Sequence, residues 1–309
     1  MSTFDPAGDL FIARKGIILR GRERMRVSSH QTDASSRRSK NGDVEAERRR
    51  ERQDQLIRVT IANRALETHF QPIVDLSTGQ AVGAEALARF AQLPVRPPDA
   101  WFADAASVGL GIELELTALD LALEQLHRLP PGLYLSLNAS VETIMSDQFR
   151  ATLADVPAER IVLELTEHTP VVDYLAFQQS VQHLRSQGVR LAVDDAGAGF
   201  SSFRHILNLK PDVIKLDIGL TRGIDRDPAR QALGRALLTF GLETYNATIV
   251  AEGIETRGEL TMLRSLGCPI GQGFFLGRPR RLAYQRQLQD VSKPQVVPEL
   301  EAVLVGQPA

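Results

Sequence analysis

The stretch LAVDDAGAGF, residues 191–200, carries a short apolar run into two adjacent acids and then into a glycine-rich turn. A strand buried in a core does not ordinarily end in two aspartates side by side. Like charges that close repel, and each raises the other's pKa unless something positive stands between them. Asp194 and Asp195 therefore raise two questions: what cation holds them, and whether other segments end the same way.

Other segments do. From Phe70 onward, short β-rich runs alternate with longer amphipathic segments. The runs are FQPIVDL, AVGAEALARF, LYLSLNAS, IVLELTE, LAVDDAG, VIKLDI, TIVAEGI and GQGFF. The segments AFQQSVQHLRSQG, ARQALGRALLTFGLETYN and GELTMLRSLG between them read as helices, and they close on Gly or Asn as helix stops do. Strands alternating with helices point to a parallel sheet. So many units in one continuous domain favour an α/β fold of the TIM-type (β/α)8 barrel. The first two runs are joined only by STGQ, too short for a helix, so one strand pair is expected to be antiparallel.

Polar residues interrupt these runs at equivalent points. Glu85 lies in AVGAEALARF, Asn138 ends LYLSLN and Glu164 sits in IVLELTE. Asp194 and Asp195 end LAVDD, Lys215 interrupts VIKLD, and Glu252 follows TIVA. Each falls at or near the carboxyl end of its run, and in a barrel of this type those ends converge on the face where active sites are built. Taken singly, each has a plainer reading. A strand-end Asp can cap a helix, Asn138 can satisfy backbone groups, and Lys215 can snorkel from an edge strand. Taken together they place carboxylates from four strands in one small area, which is costly unless they are paired or bound to metal.

Side-chain alternation puts Glu164 on the site face and Glu167 elsewhere, in support of a neighbouring loop. The two aspartates cannot both project inward from a regular strand, so a turn at Gly197 and Gly199 is expected to swing Asp195 back. Oxygen donors without Cys or His select Mg²⁺, Mn²⁺ or Ca²⁺ over zinc. Acid-rich sites holding two such ions about 3.5–4 Å apart hydrolyse phosphodiesters, with Asp194 or Asp195 as the shared ligand.

Composition bounds the rest. Of 309 residues, 43% are hydrophobic, the formal net charge is −2, and Cys268 is the single cysteine. The bulk charge does not call for DNA or a membrane as partner. One cysteine forms no internal disulfide, which fits a cytoplasmic location. The apolar candidate DLFIARKGIILR is broken by Arg14 and Lys15 and has no signal-peptide order. Residues 1–55 read as a polar, largely disordered segment, although VEAERRRERQDQLIRVTIANRAL within and beyond it has helical spacing. The basic run Arg48, Arg49, Arg50, Arg52 could touch anionic partners, but its plainer reading is a solvated helix face beside Glu45, Glu47 and Glu51. A domain over 56–289 and a flexible tail over 290–309 complete the expected organisation.

At Glu85-Ala86-Leu87 the chain resembles the EAL-domain family of cyclic di-GMP phosphodiesterases. The resemblance runs from about Ile57 to Gln289. It covers FQPIVDLSTGQAVGAEALARF, SLNAS, ELTEH, DDAGAGFSS, DVIKLD, VAEGIET and GCPIGQGFFLGRP, in order. It implies a barrel with one reversed strand and hydrolysis of cyclic di-GMP to linear pGpG, with two Mg²⁺ or Mn²⁺ ions per site, in a homodimer. The implied metal ligands are Glu85, Asn138, Glu164, Asp194, Asp195 and Glu252. Lys215 is implied to position and activate the attacking water, with a depressed pKa beside it. Gln71, Arg89, Glu255, Gln272 and Phe274 are implied substrate contacts, with Phe274 also readable as core, and Glu167 steadies the loop after Asp195. The chain departs from the family's usual DDFG at Ala196 and from its QGY at Phe274. No GGDEF-like motif and no His-Asp dipeptide is present. The alternatives are a receptor that binds cyclic di-GMP with little turnover, and a Schiff-base lyase using Lys215.

Overall fold

A computed structural model of the chain describes residues 30–92, 95–165, 171–196 and 200–282. The chain divides into two units, residues 1–49 and 50–309. Helix α1 covers His30–Ala62. It begins well before Val44, in a stretch expected as linker. No proline interrupts those residues, and from Glu45 on they are mostly Glu, Arg, Gln and Ala, which lose little side-chain freedom in a helix.

The second unit is a closed barrel of eight strands joined in sequence order. The strands are β1 (Glu67–Asp75), β2 (Ala81–Arg89), β3 (Tyr134–Asn138), β4 (Ile161–Leu165), β5 (Arg190–Ala196), β6 (Val213–Leu216), β7 (Thr248–Ala251) and β8 (Ile270–Gly271). Strand β1 is antiparallel to both its neighbours, β2 and β8, and every other pair is parallel. The short STGQ turn has the consequence expected of it: Asp75 Oδ1 accepts from the backbone of Ser77 and Thr78 and reverses the chain between β1 and β2. The last strand sits one residue earlier than GQGFF suggests, because Gln272 and Gly273 leave the sheet to build a loop.

The helices of this unit pack outside. They are α2 (Pro98–Ser107), α3 (Gly111–Leu123), α4 (Val141–Met145), α5 (Asp147–Thr152), α6 (Tyr174–Ser186), α7 (Phe200–Leu209), α8 (Ile218–Thr221), α9 (Pro228–Thr239) and α10 (Arg257–Ser265). Local chemistry fixes their starts. Asp227 accepts from Ala229 and Arg230 at the head of α9, and Thr256 and Glu259 form a reciprocal capping box on α10. No described helix is long and apolar enough to cross a membrane.

Strand alternation separates two environments. Outward-facing Leu135, Leu137, Ile161, Leu163 and Leu165 join a core with α3 to α6, and Ile214, Leu216, Ile249 and Ala251 join one with α8 to α10. Each such buried aliphatic side chain contributes about 1.5–3 kcal/mol over exposure. Inward, Ile73, Tyr134, Val162, Ala192, Val213 and Val250 form an apolar plug across the barrel. Two residues further along, the same inward-facing positions become Ser136, Glu164, Asp194, Lys215 and Glu252. The polar site is therefore the next layer above the plug, and strand parity alone puts it there.

Candidate active site

Lys215 is the centre of this layer. Its side chain, 1% exposed, rises from the middle of β6. Its ammonium lies 2.8 Å from Glu164, 2.7 Å from Glu252, 3.4 Å from Asp194 and 3.7 Å from Glu85. Burial pulls the ammonium's pKa down, but the surrounding carboxylates overcome it and hold it well above the ordinary lysine range. The depressed pKa expected from the sequence is thus not what the chain by itself produces. That expectation weighed cations beside the lysine, whereas four carboxylates face it.

Glu85, from β2, stands opposite Gln71 and Ser136 in register. Burial acts to raise its pKa, but Lys215, the Gln272 amide and the Asn138 amide reverse the effect and hold it below the usual value. Those amides donate at 2.6 Å and 2.9 Å. Gln71 joins the network by accepting from Gln272 at 3.1 Å. Glu164 is the most confined acid. Burial, then the charge of Glu85, pushes it up to about 8. Ser136 donates to its Oε1 at 2.5 Å and Lys215 to its Oε2. Burial raises Glu252 as well, well above the carboxylate range, against the pull of Lys215.

The two aspartates share the mouth because β5 is irregular there. Pairing with β6 slips between Val193 and Ala196, and Asp195 adopts a left-handed φ of 54°. Its backbone N–H donates to Asp194 Oδ1 at 2.9 Å. Gly197 and Gly199, where the turn was expected, lie outside the described residues, and the kink that is described sits at Asp195 itself. Aspartate tolerates this conformation better than most residues do. Asp194, Asp195 and Glu252 consequently offer carboxylate oxygens all within 4.8 Å of one another. Ala196 then turns outward into the core with Ile206 and Leu216.

The rim differs. Phe274 is 49% exposed with the Arg278 guanidinium 4.4 Å above its ring, so its reading as core falls away. Glu255 is exposed and paired with Arg222 at 2.8 Å. Arg89 donates to the carbonyl of Ala88. Glu167 lies outside the described residues. Sequence reasoning missed Ser136 and Glu259. Ser136 shares the inward parity of Asn138 two places on. Glu259 is 3% exposed and accepts from the backbone of Gly223, Glu255 and Thr256, tying down the loop that follows Glu252. The T-x-x-E spacing of its capping box was the readable signal.

A closed barrel with one reversed strand and a ring of carboxyl groups at the carboxyl ends of its strands defines a TIM-barrel-like protein with an acidic cluster that could hold a metal ion. The sequence matches the EAL domain family over residues 54–279, and the chain belongs to that family. It is 31% identical over 235 residues to the bifunctional diguanylate cyclase/cyclic di-GMP phosphodiesterase MucR of Pseudomonas aeruginosa, covering 72% of this chain and 34% of that protein. The chain spans about a third to two fifths of the length of the curated relatives it matches. Among solved structures, the PaMucR phosphodiesterase in complex with c-di-GMP shares 29% identity at a TM-score of 0.65, covering 74% of this chain and 97% of that one. The manganese/cyclic di-GMP complex of Klebsiella pneumoniae BlrP1 shares 28% identity at a TM-score of 0.61, covering 70% and 56%.

Proposed function

We propose that this chain hydrolyses cyclic di-GMP to linear pGpG at the mouth of the barrel, with two divalent cations, Mg²⁺ or Mn²⁺, bound there. The observation that carries the reading is charge. Five carboxyl groups, Glu85, Glu164, Asp194, Asp195 and Glu252, crowd around one ammonium, Lys215, and burial with like charge pushes Glu164 and Glu252 toward the neutral form, so the layer holds more acid than the chain's own cation compensates. Two divalent cations supply that compensation, and the all-oxygen donor set suits hard ions. The names of the relatives support the substrate, and the manganese complex of BlrP1 supports the metal class.

Asp194, Asp195 and Glu252 would hold one ion, and Glu85, Asn138 and Glu164 the other, with an aspartate shared. When bound, such ions lower the pKa of water and draw charge from the phosphodiester. The chain's own groups do the positioning. Lys215 presents a fixed N–H donor and a positive charge to the attacking water and the phosphoryl oxygens. Gln272 holds Glu85 and Ser136 holds Glu164 by hydrogen bonds, and Gln71 accepts from the Gln272 amide. Arg89 meets a phosphate oxygen, while Glu255 and Phe274 face the bases. Water adds to phosphorus and the P–O3′ bond breaks, leaving a 5′-phosphate and a free 3′-hydroxyl. The presence of every ligand in the family's pattern favours turnover over a receptor that only binds. We infer a homodimer, supported by exposed Leu175 on α6 and Leu207 on α7, and analytical ultracentrifugation would show it as a two-chain mass; the single cysteine supports a cytoplasmic location.

The test is to incubate the purified chain with cyclic di-GMP and Mn²⁺, with and without EDTA, and to separate the products. Linear pGpG that disappears with EDTA is expected. Tight binding with no cleavage at any metal concentration would replace this reading with the receptor.

A further inference from the structure

A short loop after β8 displays two side chains at the rim on a fixed pedestal. Gly273 is pressed against the chain, for a Cβ there would meet the Ile254 backbone at 2.2 Å. Phe275 N–H donates to Ile254 O at 3.0 Å, and Leu276 and Gly277 N–H both donate to Gly273 O. The far end is held too. Gly277 sits on Pro72, and its carbonyl accepts from the Gln71 amide at 3.1 Å. Gln272, just before the loop, is hydrogen-bonded to Glu85. Phe274 and Arg278 are thus exposed but tied at both ends to residues of the site.

Neighbouring arginines are engaged: Arg222 with Glu255, Arg226 with Asp225, Arg230 with Asp227 and Arg281 with Glu67. Arg278 pairs with no acid among the described residues, and its one recorded contact is the face of Phe274. A guanidinium lying over an aromatic ring is attracted by the ring quadrupole and keeps its N–H edge free in its own plane. That edge matches two adjacent acceptors such as O6 and N7 of guanine, which adenine does not offer. An aromatic ring beside it gives a base a face to stack on.

We propose that Arg278, held over Phe274, is a substrate-binding residue that selects guanine over adenine at the rim. The inference rests on the reading of this site as a cyclic di-GMP phosphodiesterase. The experiment compares wild type with Arg278→Ala and Arg278→Lys. It measures kcat and KM for cyclic di-GMP, and the inhibition constant of cyclic di-AMP against it, with thermal melting as a check on folding. The expected result for Arg278→Ala is a KM for cyclic di-GMP raised about tenfold, the size of one lost bidentate base contact. The kcat and the inhibition constant of cyclic di-AMP should change less than about twofold. Arg278→Lys should not restore KM, because an ammonium lacks the fork. An unchanged KM, an equal weakening of both nucleotides, or rescue by lysine would overturn the proposal, the last two marking a phosphate contact. Failure of the wild type to cleave cyclic di-GMP would instead sink the reading of the whole site.

Discussion

The barrel mouth has two regions built on opposite principles. Over β2 to β7, Lys215, Glu85 and Glu164 are buried, and acids face the lysine at 2.7–3.7 Å. Over the loops after β7 and β8, Glu255, Phe274 and Arg278 are exposed, and their contacts are single pairs. The electrostatics differ accordingly. Water screens the Arg222–Glu255 pair, and such pairs are worth about 0–1 kcal/mol. The buried layer has no such screening, so its charges are held by each other and by whatever cation joins them. The buried region is suited to reaction chemistry, which needs fixed charge in a dry setting. The rim is suited to selection, which needs accessible surfaces that a ligand can meet.

The sharpest way to break this contrast is at its centre. Lys215→Ala leaves four carboxyl groups facing one another, without their cation, in the metal-free chain. Removing one partner of a buried ion cluster costs about 3–5 kcal/mol. We expect a matching loss of stability in urea melts without metal, and a fall in turnover of about 10³-fold or more when metal is present, in the range seen for lost transition-state charge stabilisation. Full activity with unchanged stability would show that the lysine is not the keystone of the layer.

A smaller effect is expected under the rim. Glu259 holds the loop after β7 through three backbone N–H groups, of Gly223, Glu255 and Thr256. Burial acts to raise its pKa, and those donors together with the Thr256 hydroxyl hold it below the usual value. Glu259→Ala strands these donors, and the expected cost is about 1–3 kcal/mol of stability. Because the loop carries Glu255, KM should rise more than kcat falls. An unchanged urea midpoint would mean that water replaces the carboxylate without loss, and that the rim is less preorganised than its hydrogen bonds suggest.

The contrast also explains what could be read from sequence. The eight runs became eight strands, and the polar interruptions met, because both follow from the two-residue period of a strand. Parity places Glu164 above Val162 and Lys215 above Val213 whatever the loops do. The kink at Asp195 broke that period. A left-handed residue leaves no mark in an apolar–polar pattern when it is an aspartate already expected at a site. Ser136 carries no signal of its own, because a serine in a strand is unremarkable until Glu164, two residues beyond its register partner Val162 on β4, is known to be buried and to accept from it. The exposure of Phe274 depended on the close approach of Gly273 to Ile254, a contact between distant segments that no local window contains.

The central claim is that the uncompensated carboxylates of the buried layer exist to hold two divalent cations. Calorimetric titration of Mn²⁺ into EDTA-stripped wild-type protein tests it most directly. The account predicts about two ions per chain, with binding reduced for Asp195→Asn. Saturation without heat, or binding that Asp195→Asn leaves untouched, would contradict it.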